Sequence, residues 1–239
     1  MLRTILGVGG LAGLAFGQDA PLVDLGYAEY QGAYNAQFDQ NQFYGIRFAA
    51  PPARWQLPTT PVADRSQVFP ATSYAPICPQ VAAAPSSTGQ PSGSEDCLFL
   101  NVEAPAGKTG LPVMVWIHGG GYGGGSAQME WGNQIVTNGN SFVVVTVQYR
   151  LGAFGFLSSA DLVANGGVPN VGLHDQRFAL QWVKDHIEQF GGDPGKVTIY
   201  GESAGGGSVM LQAMAYGGTE GDALFSGAIP SSPYLPTQW

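Results

Sequence analysis

The sequence predicts an α/β fold in which helices cover both faces of a mostly parallel sheet. Four short apolar runs rich in β-branched residues are typical of strands buried on both faces, and they cover residues 98–102, 113–117, 142–147 and 197–200. Between the last two runs, apolar residues recur at spacings of three and four, which indicates a helix that ends at Gly191 and Gly192. Strands and helices that alternate across glycine-marked turns are typical of a parallel sheet.

The composition limits the class of protein. Of the 239 residues, 44% are hydrophobic and 11% are charged, so the chain can bury a sizeable core and is not expected to be disordered. Nine Lys and Arg stand against 17 Asp and Glu, and this net charge of -8 argues against nucleic acid or an anionic membrane surface as a partner. Two cysteines and three scattered histidines do not form a metal-ligand pattern, and we expect neither a metal nor a cofactor.

Residues 1–17 have the pattern of a secretion signal. One basic residue, Arg3, precedes an uncharged apolar run, and small residues at Ala15 and Gly17 predict cleavage before Gln18. The run is about half as long as the roughly 20 residues that a membrane span needs, so no transmembrane segment is expected. We expect residues 18–239 to be secreted as the amino-terminal portion of a single α/β domain.

The only two cysteines are Cys78 and Cys97, and in an oxidising compartment they are most simply interpreted as one disulfide. The alternative is a pair of free buried thiols. The disulfide would close a loop of 18 residues and contribute roughly 3 kcal/mol of stability. Residues 18–76, which contain several prolines, and residues 79–94 are predicted to form mostly loops.

The segment Gly201–Gly205 has the pattern Gly-x-Ser-x-Gly, between the predicted strand 197–200 and a predicted helix over residues 206–215. Side chains at the flanking glycines would collide with the neighbouring strand and helix in so tight a turn. The turn lifts the hydroxyl of Ser203 clear of the sheet at the positive end of the helix. Ser203 is therefore the candidate nucleophile.

A second motif, His118–Gly121, directly follows the predicted strand 113–117. Glycines let the backbone approach a reacting carbonyl group closely enough for its N–H groups to hold a negative oxygen. We assign such an oxyanion hole to the amides of Gly120, Gly121 and Ala204. The alternative interpretation is a flexible glycine-rich loop, because three more glycines follow at residues 123–125.

Four segments resemble the type-B carboxylesterases and lipases, the cholinesterase-like family. They occur in the family's order and spacing, with Glu103 where an apolar residue is usual, and they are Phe190–Gly205, Glu95–Val102, Tyr149–Phe156 and Gly172–Arg177. The resemblance implies an α/β-hydrolase fold, a Cys78–Cys97 disulfide, Ser203 as nucleophile and hydrolysis of carboxylic esters. It also implies ion pairs of Arg54 with Glu95 and of Arg150 with Asp175.

The remaining members of a catalytic triad decide whether the chain is active. The mechanism needs a histidine that accepts the serine proton and a carboxylate that orients it, and in this fold both follow the serine. After Ser203 the sequence contains Glu220 and Asp222 but no histidine, since its three histidines lie at positions 118, 174 and 186. We therefore expect an inactive amino-terminal portion of an esterase, with the carboxy-terminal part of the fold missing. The alternative is a triad of unusual chain order that uses one of the three histidines.

The substrate class is predicted from a missing aromatic residue. In the cholinesterase branch, an aromatic residue of the first disulfide loop holds a quaternary ammonium by cation–π attraction. Residues 79–96 contain no Phe, Trp or Tyr, so neutral esters or lipids are expected as substrates. The alternative function is a non-catalytic binding or adhesion protein of the same fold. The presence of Ser203 and the glycine amides favours an enzyme, and the sequence predicts no oligomeric state.

Overall fold

The computed structural model describes residues 20–81, 93–129, 131–219 and 221–236. The predicted signal at residues 1–17, most of the disulfide loop, Glu220 and the side chain of Asp222 lie outside the described residues. No helix within the described ranges is long and apolar enough to cross a membrane.

Ten strands and six α-helices form the described part of the chain. The strands are β1 Leu22–Asp24, β2 Glu29–Gln31, β3 Ala33–Asn35, β4 Gln40–Arg47, β5 Val68–Pro70, β6 Phe99–Pro105, β7 Leu111–Ile117, β8 Val143–Val147, β9 Gly192–Glu202 and β10 Gly227–Ser231. The helices are α1 Gly132–Thr137, α2 Gly152–Phe156, α3 Ala160–Ala164, α4 Val171–His186, α5 Ala204–Met214 and α6 Gly221–Leu224. Two short 3₁₀ helices, Ile187–Phe190 and Ala215–Gly218, follow α4 and α5.

A seven-stranded sheet with the order β10-β9-β7-β8-β6-β4-β3 forms the centre of the fold. The strands from β10 to β8 pair in parallel, whereas the pairs from β8 to β3 are antiparallel. The predicted parallel arrangement therefore holds for four strands, and three antiparallel strands extend the sheet. β10 is the edge strand beside β9, and its Ile229 is 52% exposed.

The predicted strands and helices coincide with the longest buried elements. All five residues of β8 are buried, as expected for a strand covered on both faces. Helix α4 and the following 3₁₀ helix end at Gly191, whose φ of 85° is the left-handed conformation that favours glycine. Strand β10 contains the strand-like pair Ala228 and Ile229.

Most of the described residues before residue 76 lie outside helices and strands, as predicted, but the prediction missed five strands, β1 to β5. β1, β2 and β5 form a separate small sheet of three-residue strands, which are too short to show an alternating apolar pattern. β4 is longer, but its sequence is polar, and Gln40 is buried with its amide nitrogen bonded to the Gly132 carbonyl. Burial of a hydrogen-bonded polar side chain leaves no hydrophobic signal in the sequence.

Candidate active site

The two predicted motifs meet at the carboxyl ends of two neighbouring parallel strands. Ile117, the last residue of β7, pairs with Gly201 of β9, so the residues that follow each strand emerge side by side. A Cβ atom added to Gly119 would lie 3.1 Å from the Cβ of Ser203 and 2.7 Å from the carbonyl oxygen of Glu202. Glycine at this position therefore lets the loop after β7 lie directly against the serine.

Ser203 occupies the sharp turn between β9 and α5. Its φ of 58° and ψ of -121° are rare for a residue with a side chain, and such strained values persist only where the surroundings fix them. A Cβ atom added to Gly205 would overlap the carbonyl oxygen of Ile117, and one added to Gly201 would overlap the backbone of Gly205. The flanking glycines are thus required by packing, as the sequence predicts, and Ser203 itself is half-buried.

The backbone of Ser203 is held from both sides. Its N–H donates to the carbonyl of Ser231 at 3.1 Å. Its carbonyl oxygen accepts hydrogen bonds from the N–H groups of Gly207 at 2.9 Å and Tyr234 at 2.8 Å. Strand β10 and the segment after it therefore fix the turn together with α5.

Each amide assigned to the oxyanion hole has its peptide plane fixed at the carbonyl end. In a trans peptide the N–H group points away from the C=O group of the preceding residue. The Gly119 carbonyl, which shares a peptide with the Gly120 N–H, accepts from His118 Nδ1 at 2.8 Å. The Gly120 carbonyl, which shares a peptide with the Gly121 N–H, accepts from Gly123 at 3.1 Å and from Gly124 at 2.9 Å.

The third amide is the N–H group of Ala204. It shares a peptide with the carbonyl group of Ser203, whose oxygen accepts two hydrogen bonds. Ala204 is the first residue of α5, so its N–H has no partner within the helix. Within the described ranges, no acceptor is found for the N–H groups of Ala204, Gly120 or Gly121. Three oriented donors beside a serine hydroxyl can hold a developing negative oxygen.

His118 is a buried residue of the loop backbone rather than a proton acceptor for Ser203. Its ring stacks on that of Tyr149 with centroids 4.3 Å apart, and the Tyr149 hydroxyl donates to the His118 carbonyl at 2.7 Å. Because Nδ1 faces a carbonyl oxygen, it carries the proton, and Nε2 is buried with no hydrogen-bond partner among the described residues. Burial lowers the pKa of His118 to about 4, so the ring is neutral at pH 7.

The other two histidines lie elsewhere. His174 of α4 faces a cavity of about 310 Å³ that Leu211 and Tyr216 also line. His186 packs against the rings of Tyr27 and Trp182, with centroid distances of 5.8 and 5.3 Å. Burial lowers the pKa of both histidines. Across the described ranges, neither histidine makes a hydrogen bond to Ser203.

An acid, Glu202, directly precedes Ser203. Glu202 is exposed, and one of its carboxylate oxygens would lie 3.4 Å from a Cβ atom added to Gly119. Its carboxylate therefore lies at the loop that carries the glycine amides. Within the described ranges, no hydrogen bond to the Ser203 hydroxyl is found, and no group of acidic, histidine or cysteine side chains could hold a metal ion.

The disulfide and both ion pairs that the resemblance implies are present. Cys78 and Cys97 are joined, with Cα atoms 5.0 Å apart, and both are buried. Arg54 and Glu95 form an exposed pair with an N–O distance of 2.6 Å. This ion pair links Glu95, which lies two positions before Cys97, to the chain segment that precedes Cys78.

The second pair is buried. Arg150 contacts Asp175 at 2.7 Å, and the backbone N–H of Arg150 donates to the same carboxylate at 3.0 Å. A third pair, Arg47 with Asp96, was missed by the sequence analysis although Asp96 lies within a recognised segment. Its partner is 49 residues away, and no sequence spacing indicates the contact.

Comparison with known proteins covers nearly the whole chain. The Carboxylesterase family matches residues 19–239. Secreted lipase 1 of Botryotinia fuckeliana is 42% identical in an alignment of 220 positions that covers 80% of this chain and 38% of the lipase. Carboxylesterase patB of Penicillium expansum is 34% identical in an alignment of 257 positions that covers 83% of this chain and 46% of the esterase.

The chain is also similar to solved structures. The crystal structure of Aspergillus niger EstA superposes with a TM-score of 0.80 at 43% identity, over 88% of this chain and 41% of EstA. The chain thus spans less than half the length of each of these relatives. It is a member of the carboxylesterase family and has the α/β-hydrolase fold that its motifs predict.

Proposed function

We propose that this chain is the amino-terminal part of a secreted serine carboxylesterase or lipase. Ser203 is the nucleophile, and the amides of Gly120, Gly121 and Ala204 form the oxyanion hole. The observation that carries the proposal is a serine held in a strained strand-to-helix turn, with a glycine loop packed against it and three nearby N–H groups for which no acceptor is found among the described residues. This arrangement favours an enzyme over a binding protein, because a binding protein has no use for oriented amides beside a nucleophile.

The proposed reaction is an acyl transfer. The Ser203 oxygen attacks the ester carbonyl carbon while a base removes the hydroxyl proton, and the carbonyl oxygen becomes an oxyanion held by the three amides. Collapse of the tetrahedral intermediate expels the alcohol, which takes up the proton, and leaves an acyl group on Ser203. Water then attacks the acyl group by the same steps and releases the carboxylic acid.

We propose that the 239-residue chain alone does not turn over esters. The reaction needs a histidine at the Ser203 hydroxyl, but His118 faces a carbonyl and the ring of Tyr149, and the other two histidines lie away from Ser203. The relatives are more than twice as long as the matched region, which supports an acid and a histidine in the part of their length that this chain does not match.

Neutral esters or lipids are the proposed substrates, and an extracellular location is proposed with cleavage before Gln18 and one domain over residues 18–239. The absence of an aromatic residue over 79–96 supports neutral rather than choline esters. The names of two relatives, a secreted lipase and a carboxylesterase, support esters or lipids as substrates and an extracellular location.

The test supplies the missing base from solution. The chain is incubated with p-nitrophenyl acetate in the presence and absence of imidazole, and acetylation of the peptide that contains Ser203 is measured by mass spectrometry. We expect imidazole-dependent acetylation of Ser203, loss of it in Ser203→Ala, and no change in the matched control Ser66→Ala, an exposed serine remote from the site in sequence. In the incubation without imidazole, the protein should add negligible p-nitrophenol release to the spontaneous hydrolysis.

Two outcomes would contradict the proposal. Acetylation that spreads over exposed serines without preference for Ser203 would remove the nucleophile assignment. Rapid hydrolysis without imidazole that depends on Ser203 would support the esterase but contradict the inactivity of this chain.

A further inference from the structure

The oxyanion loop, residues 118–125, has no regular secondary structure and an unusual backbone. Positive φ angles occur at Gly120, Gly121, Tyr122 and Gly125, with values of 112°, 61°, 60° and 95°. A left-handed conformation is unfavourable for Tyr122, which carries a side chain. A loop of this shape keeps its amides in place only if contacts from outside the loop hold it.

One such contact comes from Gln80, which is 45 residues away in sequence. Its side-chain oxygen accepts the N–H of Gly125 at 2.7 Å, and its side-chain nitrogen donates to the carbonyl of the same residue at 3.0 Å. The next residue, Val81, donates its backbone N–H to the carbonyl of Gly123 at 2.7 Å. Gln80 and Val81 thus bind the end of the loop much as a neighbouring strand would.

The clamped end of the loop packs on the end that carries the amides. A Cβ atom added to Gly125 would overlap the carbonyl oxygen of Gly119 and lie 2.6 Å from Nδ1 of His118. A Cβ atom added to Gly120 would overlap the carbonyl of Gly124. With backbone packed on backbone, a displacement of Gly125 must shift the peptide that carries the Gly120 N–H.

The side chain of Gln80 is itself held by a further hydrogen bond. The side-chain nitrogen of Gln80 also donates to the carbonyl of Cys78 at 2.8 Å, and Cys78 is a fully buried member of the disulfide. Only one residue, Pro79, therefore separates Gln80 from the cysteine that is covalently linked to Cys97. The anchor restricts Gln80 to the position in which its amide meets Gly125.

We propose that Gln80 is a positioning residue of the oxyanion hole, holding the loop so that the Gly120 and Gly121 amides face the oxygen above Ser203. The role of those amides in catalysis rests on the proposed function, whereas the effect of Gln80 on the loop does not. Gln80 acts through Gly125 and does not touch the reacting atoms.

The test is NMR spectroscopy of the whole chain with 15N-labelled glycine and alanine. In Gln80→Ala we expect the Gly125 amide to exchange with solvent at least about tenfold faster, which corresponds to the loss of about 1.4 kcal/mol of local hydrogen bonding. The Gly120 and Gly121 resonances should shift, and that of Ala204 should not. The control is Gln56→Ala, which removes an exposed glutamine that donates one side-chain hydrogen bond, to the carbonyl of Gly166.

A second variant of the same shape covers the case in which Gln80→Ala does not fold. In Gln80→Glu at pH 7, a carboxylate replaces the NH₂ group that faces the carbonyls of Cys78 and Gly125. Protonation at pH 4 restores one donor, so the displacement of the Gly120 and Gly121 resonances from the wild-type positions at the same pH should be larger at pH 7.

Unchanged Gly120, Gly121 and Gly125 amides in Gln80→Glu at pH 7 would overturn the proposal. Shifts of equal size throughout the protein would also overturn it, because they would show a general structural change. No turnover is needed for this measurement. If Ser203 fails to be acetylated while the loop still responds to Gln80, the positioning role stands and the proposed function falls.

Discussion

Acidification is expected to destabilise the protein through His118. Burial lowers its pKa to about 4, whereas the unfolded chain has the ordinary value of 6.5. Between these two values the unfolded state binds a proton that the folded state excludes, so stability is complete above pH 6.5 and falls as the pH decreases towards 4. The difference between the two pKa values corresponds to about 3 kcal/mol, most of which is lost by pH 4.5.

The cause lies in the contacts of the ring. A protonated His118 would place a second N–H donor at Nε2, where no acceptor exists among the described residues. The ring stacked on it belongs to Tyr149, whose pKa is raised by burial, so the phenol is uncharged and cannot stabilise an imidazolium ion as an anion would.

The assay is urea unfolding at pH 7 and pH 4.5, for the wild type and for His118→Asn. The asparagine amide can place a donor near the position of Nδ1 but cannot bind a proton in this pH range. Titration of the carboxylates, His174 and His186 affects both proteins, so the difference between their pH dependences isolates His118. We expect the wild type to lose roughly 2 to 3 kcal/mol more than the variant. Equal losses would refute the assignment of His118 as a buried neutral residue.

Three further substitutions test the packing by urea unfolding. Gly205→Ala should cost at least about 3 kcal/mol, because its Cβ atom would overlap the backbone oxygen of Ile117 and neither strand nor helix can shift cheaply. Asp175→Asn should cost about 3–5 kcal/mol, because it leaves the buried charge of Arg150 without its counterion. Cys78→Ser should cost about 3 kcal/mol, from the entropy that the unfolded chain regains when the loop opens.

Each of these has a control in the same chain. Gly195→Ala adds a methyl group at an exposed site with a single side-chain oxygen nearby and should be close to neutral. Glu95→Gln removes one charge from an exposed pair and should have a much smaller effect than Asp175→Asn. A reductant should destabilise the wild type to the level of Cys78→Ser and leave that variant unchanged. If Gly195→Ala lost as much stability as Gly205→Ala, or Glu95→Gln as much as Asp175→Asn, the result would contradict the packing argument.

The sequence predicted the parts of the fold in which burial and chemistry act on neighbouring residues. β8 is buried along its whole length, so its apolar run is visible without knowledge of its partners. The turn at Ser203 needs glycines two positions away on either side. This requirement is visible in the five consecutive residues Gly201–Gly205. β4 was missed because the side chains that it buries include Gln40 and Gln42, and the amide nitrogen of Gln40 is bonded to Gly132, 92 residues away.

The contacts that hold the loop of the candidate site in place could not be predicted in the same way. Gln80 bonds to Gly125 and Tyr149 bonds to His118, across 45 and 31 residues. Both contacts join a side chain to a backbone group, so they impose no spacing and no complementary charge that a sequence could display. They became visible only when the strands brought the two segments together.

The open side of β10 has a consequence for how the protein behaves in solution. Within the described part of the chain, this strand pairs with β9 alone, and its three central residues, Ile229 among them, are exposed. Such a strand is a template on which the same strand of another molecule can pair. The fraction of monomer should therefore fall as the concentration rises, and a charged residue in place of Ile229 should keep the protein dispersed.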